Sequence, residues 1–375
     1  MARKKKTEKK KAVDFTLFLS IMILVFIGII MVFSASWPEA MQKFDNGYHF
    51  LTRQMMFAGL GFFVLIVLMN IDYRYYKKFA LPIFIMAIIL GLLIFSPLGV
   101  EQKGARRWIE IVGFRFMPSD IIKFASIVFF SAFLSNKKER ISTLIYGTVP
   151  ALIIIGISCG LIYFQKDLGT TVTLAGTMMA MFFIAGMRLS HLFTLGVGAG
   201  GLLYFAITSE GNEYRLERVT AFIDPFADKL DTGWQAVQSL YAIGSGGLFG
   251  LGLGKSRQKF FYIPESYNDF IFSIIGEELG FLGALLVMLL LLIVIWRGIV
   301  IALKVEDTFG CFLATGIIAL IAIQSLIHIA VVTSSIPTTG ITLPFVSYGG
   351  TSLVMNMAAI GVLLNISRHA NLERS

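Results

Sequence analysis

Apolar stretches of about twenty residues recur along the whole chain and constrain its fold more than any other feature. A helix of that length crosses a hydrocarbon core of about 30 Å, and backbone polar groups cannot remain unpaired in lipid. The composition agrees, because 56% of the 375 residues are hydrophobic and 15% are charged. The sequence therefore predicts an all-α polytopic membrane protein whose single bundle occupies residues 14–366. Ten transmembrane helices are predicted, over residues 14–34, 54–70, 79–96, 119–135, 143–164, 168–186, 190–208, 270–296, 309–332 and 341–366.

Lys and Arg residues in the tails and short loops predict the orientation of the bundle. The basic tail 1–13 has seven of them, and alternate loops on the same side have more, as does the tail 367–375. Such residues favour the cytoplasmic side, so both termini are predicted to be cytoplasmic. Ser34-Ala35-Ser36 resembles a signal-peptide cleavage site. The preceding apolar stretch is longer than the ~7–15 residues of a signal peptide, however, and favours an uncleaved first helix.

Two loops on the opposite side are basic against this trend, those after the third and seventh predicted helices. The second is a long extracytoplasmic loop, residues 209–268, that is rich in aromatic residues and glycine. Topology does not need these charges, so they indicate binding of an anion at the outer surface. Ion pairs with Glu101, Asp224 or Asp228 are the structural alternative. The basic residues of the long loop are Arg215, Arg218, Lys229, Lys255, Arg257 and Lys259.

Two segments of the long loop have open interpretations. The glycine run 244–254 precedes Lys255-Ser256 but lacks a P-loop, because Phe249 stands where the first glycine is required. It could form an anion-binding nest of N–H groups or a tightly packed turn. Residues 234–241 place Trp, Val, Leu and Tyr at helical spacing, which predicts a short amphipathic helix. That helix could lie in the membrane interface or pack on the bundle.

Ionisable residues in or beside the predicted helices are candidate functional groups, because they are costly in lipid. Asp120 and Lys123 are three residues apart and can form a local ion pair. Asp167 and Asp269 each precede a helix and could be N-caps. Glu277 lies about 12 Å from Asp269 along a helix, which excludes a two-carboxylate glycosidase arrangement.

The remaining polar residues predict neither a disulfide nor a metal cluster. Cys159 and Cys311 both fall inside predicted helices, and the four histidines are scattered. Pro337, Gly340 and Pro344 interrupt the approach to the last helix, and an irregular backbone at that depth must be buried in protein or line a cavity.

Several motifs, taken in order, resemble the SEDS family (shape, elongation, division and sporulation) over nearly the whole chain. The similarity is greatest to its division and sporulation branch, FtsW and SpoVE. The motifs are Gly104-Ala105-Arg106-Arg107-Trp108-Ile109, Met117-Pro118-Ser119-Asp120, Gln165-Lys166-Asp167-Leu168-Gly169-Thr170, Glu217-Arg218-Val219-Thr220-Ala221-Phe222, Gly233-Trp234-Gln235-Ala236-Val237-Gln238-Ser239, Phe260-Phe261-Tyr262-Ile263-Pro264-Glu265, Asp269-Phe270-Ile271-Phe272, Gly276-Glu277-Glu278-Leu279-Gly280 and Gly340-Ile341-Thr342-Leu343-Pro344-Phe345-Val346-Ser347-Tyr348-Gly349-Gly350.

The resemblance implies a ten-span peptidoglycan glycosyltransferase that polymerises lipid II on the outer face of the bacterial cytoplasmic membrane. It also implies a class B penicillin-binding transpeptidase as partner, within a divisome-type assembly. The family's essential Asp corresponds to Asp269, its first-loop Arg to Arg53 and its helix-4 Lys to Lys123. Two departures, Asp120 in place of Glu and Lys166 in place of Pro, leave the Asp269 motif intact.

The residues and the resemblance together predict a site for a lipid-linked diphosphate. Asp269 is expected to be the general base that accepts the proton of the attacking GlcNAc 4-hydroxyl. Basic residues, with a divalent cation as a possible addition, would stabilise the departing polyprenyl diphosphate. The expected substrate-binding residues are Arg53, Arg106, Arg107, Asp120, Lys123, Asp167, Arg218, Lys255, Arg257, Lys259 and Glu278.

Two other functions fit parts of the pattern. A flippase for a lipid-linked precursor would suit the intramembrane charges and the interrupted last helix, but transporters often have internal repeats and none is visible here. A scaffold that only recruits a division partner would explain the topology but not Lys123, Glu277 and Glu278.

Overall fold

The computed structural model describes residues 12–102, 104–111, 114–137, 140–208, 213–226 and 233–371. Within them, seven helices are long and apolar enough to cross a membrane. Three shorter apolar helices, α4, α7 and α8, occupy the other predicted segments, so each of the ten predicted segments contains a helix. The helices are α1 (Phe15–Phe44), α2 (His49–Asn70), α3 (Arg74–Lys78), α4 (Ala80–Leu92), α5 (Pro118–Lys137), α6 (Val149–Phe164), α7 (Leu168–Ile184), α8 (Leu189–Thr208), α9 (Glu213–Ile223), α10 (Trp234–Ser245), α11 (Ile271–Lys304), α12 (Thr308–Val332) and α13 (Gly350–Ser367).

Two helix boundaries differ from the prediction in ways that matter for the site. Helix α1 continues to Phe44, ten residues beyond the predicted end, so Ser34-Ala35-Ser36 lies inside an unbroken helix. Helix α13 begins only at Gly350, not at residue 341. The backbone before it has positive φ angles at Gly340 (72°) and Phe345 (66°), which a right-handed helix does not allow.

One end of the bundle gathers the regions predicted to be cytoplasmic. Asp14 caps α1 and pairs with Arg297 of α11, whose Nε lies 2.8 Å from Oδ2. The Asp14 N–H donates to Ser367 Oγ at 3.1 Å, and the Asn371 N–H donates to the Lys304 carbonyl. The start of α1, the end of α13 and the α11–α12 connection therefore lie at one end of the bundle.

The opposite end contains a small β-sheet that the all-α prediction did not include. Strands β1 (Gly99–Gln102), β2 (Ala105–Ile111) and β3 (Phe114–Phe116) form an antiparallel sheet in sequence order. Arg107 donates to the Lys166 carbonyl and Lys166 Nζ donates to the Gly104 carbonyl, so the sheet is tied to the α6–α7 turn. The Arg106-Arg107 motif is thus presented on a strand rather than on a flexible loop.

Helix α10 packs on the bundle, which was one of its two predicted alternatives. Ala236, Val237, Gln238, Ser239 and Ala242 are buried, whereas Tyr241 is 48% exposed. Ser239 Oγ lies 2.7 Å from Ser273 Oγ of α11 and donates to the Val332 carbonyl of α12. The small and polar side of α10 therefore faces protein, and the helix runs beside the first turns of α11.

The glycine run that follows α10 packs against a break in α11. Gly280 has φ 69° and ψ −168°, so α11 consists of two helical parts. The N–H groups of Leu251 and Gly252 donate to the carbonyls of Glu277 and Glu278, and the Phe281 N–H donates to the Gly247 carbonyl. A Cβ at Gly250 would lie 2.2 Å from the Glu278 carbonyl oxygen. These glycines therefore allow the loop to pack closely against α11, and the run does not form an open anion-binding nest.

Candidate functional site

Asp269 lies at the start of α11 without being its cap. The N-cap position is Phe270, where no side chain caps the helix. Asp269 is partly exposed, while Phe270, Ile271 and Phe272 after it are buried in the core. The buried residues fix the backbone where α11 begins, and the N-cap alternative does not describe Asp269, which lies one residue before the cap position.

A non-helical segment crosses in front of Asp269. This segment, residues 337–348, is called the strap below. A Cβ at Gly340 would lie 3.5 Å from Asp269 Oδ2, so the exposed Gly340 backbone forms one side of the carboxylate's environment. Ser347 Oγ donates to the Asn268 carbonyl at 2.7 Å, and the Tyr348 N–H donates to the Tyr267 carbonyl at 3.0 Å. The strap is therefore attached to the two residues that precede Asp269.

Other elements fix the far side of the strap. Gln324 and His328 of α12 bond to the carbonyls of Thr342 and Ile341. Arg218 of α9 donates to the Thr338 carbonyl at 3.1 Å. A Cβ at Gly169 of α7 would lie 2.9 Å from the Thr339 carbonyl oxygen. The strap thus brings the Arg218 motif and the 165–170 motif to the Asp269 motif, although they are far apart in sequence.

An aromatic cluster lies where the end of the strap meets the residues before Asp269. The rings of Phe50, Tyr267 and Tyr348 have centroid separations of 4.6, 5.2 and 5.6 Å. Burial raises the pKa of Tyr267, as does the charge of Glu39, so its hydroxyl stays neutral and donates to Glu39 at 3.2 Å. Burial also raises the pKa of Tyr348, and the nearby Arg53 opposes that shift. Arg53 lies in the second turn of α2 and is exposed, next to this cluster.

Asp120 and Lys123 form the ion pair that their spacing predicted. Lys123 Nζ lies 2.9 Å from Asp120 Oδ1, and the two side chains are 9% and 6% exposed. They line a small pocket between α5, α12 and α13, together with Ser352 and Asn356. Each of the two buried charges therefore has its partner one turn away on the same helix.

Several predicted substrate-binding residues have protein partners instead. Asp167 caps α7, accepting from the Thr170 N–H at 3.0 Å and from the Thr170 hydroxyl. Arg106 forms an exposed ion pair with Glu101 at 3.3 Å, which is the alternative expected for that loop. These interactions neither require nor exclude a substrate.

Lys259 and Glu278 are the clearest case of a structural pair. Lys259 Nζ lies 2.9 Å from Glu278 Oε1, with side chains 3% and 0% exposed, and both groups contact Ser34 Oγ. Glu277 accepts from Ser256 Oγ and from the Arg257 N–H. These hydrogen bonds attach the long loop to α11 and do not support the predicted role of the pair in substrate binding. Lys255 and Arg257 of the same loop are exposed.

Two predicted features have no counterpart among the described residues. Arg215 and Lys229 cannot be placed, because side chain 215 and residue 229 lie outside the described part of the chain. Within the described residues, no group of three or more His, Cys, Asp and Glu side chains could hold a metal ion. A divalent cation therefore stays a prediction.

The sequence motifs did not identify Gln324 and His328 as site residues. They are polar residues four positions apart in an otherwise apolar helix, and that pattern could have indicated them.

The fold and the site define a multi-pass membrane protein with a partly exposed carboxylate at one rim. The family model for FtsW, RodA and SpoVE, described as a cell cycle protein, matches residues 15–372. The chain belongs to this family.

Known relatives match nearly the whole chain. Stage V sporulation protein E of Bacillus subtilis (strain 168) is 45% identical over 366 residues, which cover 97% of this chain and 99% of the relative. A probable peptidoglycan glycosyltransferase FtsW of Geobacter sp. (strain M18) is 40% identical over 94% of this chain and 96% of its own length.

Solved structures share the fold. A chain of a peptidoglycan synthase complex that coordinates polymerization and crosslinking superimposes with a TM-score of 0.78. It is 25% identical and covers 95% of this chain and 98% of its own. The rod shape determining protein RodA of Thermus thermophilus is 23% identical, with a TM-score of 0.71 over 96% of this chain and 98% of its own.

Proposed function

We propose that this protein is a peptidoglycan glycosyltransferase that polymerises lipid II, with Asp269 as general base. The observation that carries the proposal is the position of Asp269, which is partly exposed just before α11 and has the strap backbone beside its Oδ2. The relatives named as peptidoglycan glycosyltransferases support the reaction class. The matching synthase complex supports a membrane assembly with a crosslinking partner, for which a class B penicillin-binding transpeptidase is proposed.

The proposed reaction forms one bond and breaks one. Asp269 accepts the proton of the acceptor GlcNAc 4-hydroxyl while that oxygen attacks the anomeric carbon of the growing strand. The bond from the anomeric carbon to the phosphate oxygen breaks with inversion, and polyprenyl diphosphate leaves with the electron pair. Exposed cations at the same end of the bundle, including Arg53, Lys255 and Arg257, would stabilise the diphosphate.

The orientation is part of the proposal. The end of the bundle with Asp269 faces away from both termini, because Asp14, Arg297 and Ser367 meet at the other end. The basic tail and loops on the terminal side favour the cytoplasm. Asp269 would then face the outer surface of the bacterial cytoplasmic membrane, where a lipid-linked precursor presents its diphosphate at headgroup depth.

Asp269→Asn tests the general base. The amide is nearly isosteric but cannot accept the proton, so strand synthesis should fall by about 10²–10⁴-fold. The assay uses purified protein with its transpeptidase partner and labelled lipid II. Glu265→Gln, a carboxylate change four residues earlier in the same loop, is the matched control and should keep most activity.

Normal strand synthesis by Asp269→Asn would remove the assignment. Transbilayer movement of labelled lipid II in the same vesicles is the second readout. Movement without strands would favour the flippase instead.

A further inference from the structure

The first part of the strap, residues 337–342, lies before its single backbone turn at 343–347 and is held by side chains from other elements. Positive φ angles at Gly340 and Phe345 take the strap out of both helical and extended geometry. Its carbonyl groups at positions 338, 341 and 342 accept from side chains of α9 and α12. Because backbone groups inside a membrane protein need partners, these donors hold the strap in its observed path.

Two of the donors, Gln324 and His328, lie one turn apart on the same face of α12. Gln324 Nε2 donates to the Thr342 carbonyl at 2.9 Å. His328 Nδ1 lies 2.7 Å from the Ile341 carbonyl, and since a carbonyl only accepts, this nitrogen carries the proton. The side chains are almost completely buried, with 2% and 0% of their surface exposed. Polar groups at this depth in an apolar helix are costly, so their bonds to two consecutive carbonyls need a functional explanation.

The strap connects Gln324 and His328 to the surroundings of Asp269. Gly340 immediately precedes Ile341. A Cβ at Gly340 would lie 3.5 Å from Asp269 Oδ2, so the Gly340 backbone lies beside the carboxylate. At the other end of the strap, Ser347 Oγ donates to the carbonyl of Asn268, the residue before Asp269. A change in the backbone path of residues 340–342 would therefore move the backbone that lies beside the Asp269 carboxylate.

We propose that His328 and Gln324 are positioning residues for Asp269, which they orient through the strap. This inference rests on the proposed role of Asp269 as general base. The side chains do not touch the substrate in this scheme. They fix the distance and angle between the carboxylate and the attacking hydroxyl, to which a proton transfer is sensitive.

The His328 ring offers a sharp conservative substitution. Its Nε2 has no hydrogen-bond partner among the described residues, so only Nδ1 is used. Asn can place an N–H donor near the Nδ1 position, whereas Leu fills similar space without a donor. Gln324→Leu removes the second donor in the same way.

The test is steady-state polymerisation of labelled lipid II by each purified variant with its transpeptidase partner. His328→Leu and Gln324→Leu should each lower kcat by about 10- to 100-fold, with KM within about twofold of the wild type. His328→Asn should restore kcat to within about threefold. Ser325→Ala is the matched control on α12, because Ser325 Oγ has no hydrogen-bond partner among the described residues, and it should retain wild-type kinetics.

Three outcomes would overturn the inference without touching the general base. These are an unchanged kcat in both Leu variants, a rise in KM alone, or an equal loss in His328→Leu and His328→Asn. If His328→Leu melts early in detergent, Gln324→Leu and His328→Asn still decide the question. Normal strand synthesis by Asp269→Asn would instead overturn the general-base assignment on which this inference rests, so the two failures are distinguishable.

Discussion

Two acidic residues, Asp269 just before α11 and Glu278 inside it, differ sharply although they are only nine residues apart. Asp269 is partly exposed and lies beside the strap. Glu278 is fully buried, with Lys259 and Ser34 on its oxygens. One carboxylate is placed where a substrate can reach it, and the other joins the long loop to the helix. The partners of a carboxylate, rather than its presence in a motif, therefore indicate whether it is available to a substrate or stabilises the fold.

Breaking the buried pair should have the largest effect on stability. Glu278→Gln leaves Lys259 charged and buried without a counter-ion, which costs about 3–5 kcal/mol in comparable pairs. The expected result is a clear drop in the melting temperature of the purified protein in detergent. Adding Lys259→Met to Glu278→Gln removes the unpaired charge and should recover much of the loss.

Wild-type melting of Glu278→Gln would show that the pair contributes nothing to the fold. A wild-type melting temperature combined with a raised KM for lipid II would return Glu278 to the substrate-binding set. Asp269→Asn, measured in parallel, should melt normally, which makes the contrast between the two carboxylates direct.

Neutralising exposed cations should have an intermediate effect, on substrate use rather than on folding. Lys255→Gln with Arg257→Gln removes two exposed charges at the outer surface, and a charge-assisted hydrogen bond to the diphosphate should be worth about 1.5–3 kcal/mol. KM for lipid II should rise at least tenfold at low salt, and less in high salt because exposed charges are screened. Arg106→Gln with Arg107→Gln should act in the same direction.

The matched control for these charges is Arg115→Gln, which removes a strand Arg that pairs with Glu110. It should leave KM unchanged. Equal KM values for the wild type and the Lys255/Arg257 double variant at subsaturating lipid II would contradict the diphosphate assignment for this loop.

Removing one hydroxyl at the rim should have the smallest effect. Tyr267→Phe keeps the ring packing against Phe50 and Tyr348 and deletes only the bond to Glu39. Because the raised pKa keeps this hydroxyl protonated at neutral pH, the loss is one hydrogen bond of about 0.5–1.5 kcal/mol. A melting-temperature change of a few degrees would agree, whereas loss of activity as large as that of Asp269→Asn would make Tyr267 part of the chemistry.

The positions of the helical segments and the Asp120–Lys123 pair could be predicted from the sequence alone. These follow from local properties, namely apolar length and helical spacing, which do not depend on distant parts of the chain. The motifs of the Asp269 region were also visible, because each is a short continuous string.

The contacts between those motifs depend on the tertiary structure. The pairing of Lys259 with Glu278 joins the long loop to a buried turn of α11, and nothing in their nineteen-residue spacing indicates it. The attachment of the strap by Gln324 and His328 is equally invisible in sequence, because hydrogen bonds to a backbone carbonyl do not depend on the identity of the accepting residue. The burial of a side chain, and therefore its availability to a substrate, depends on how distant segments pack around it.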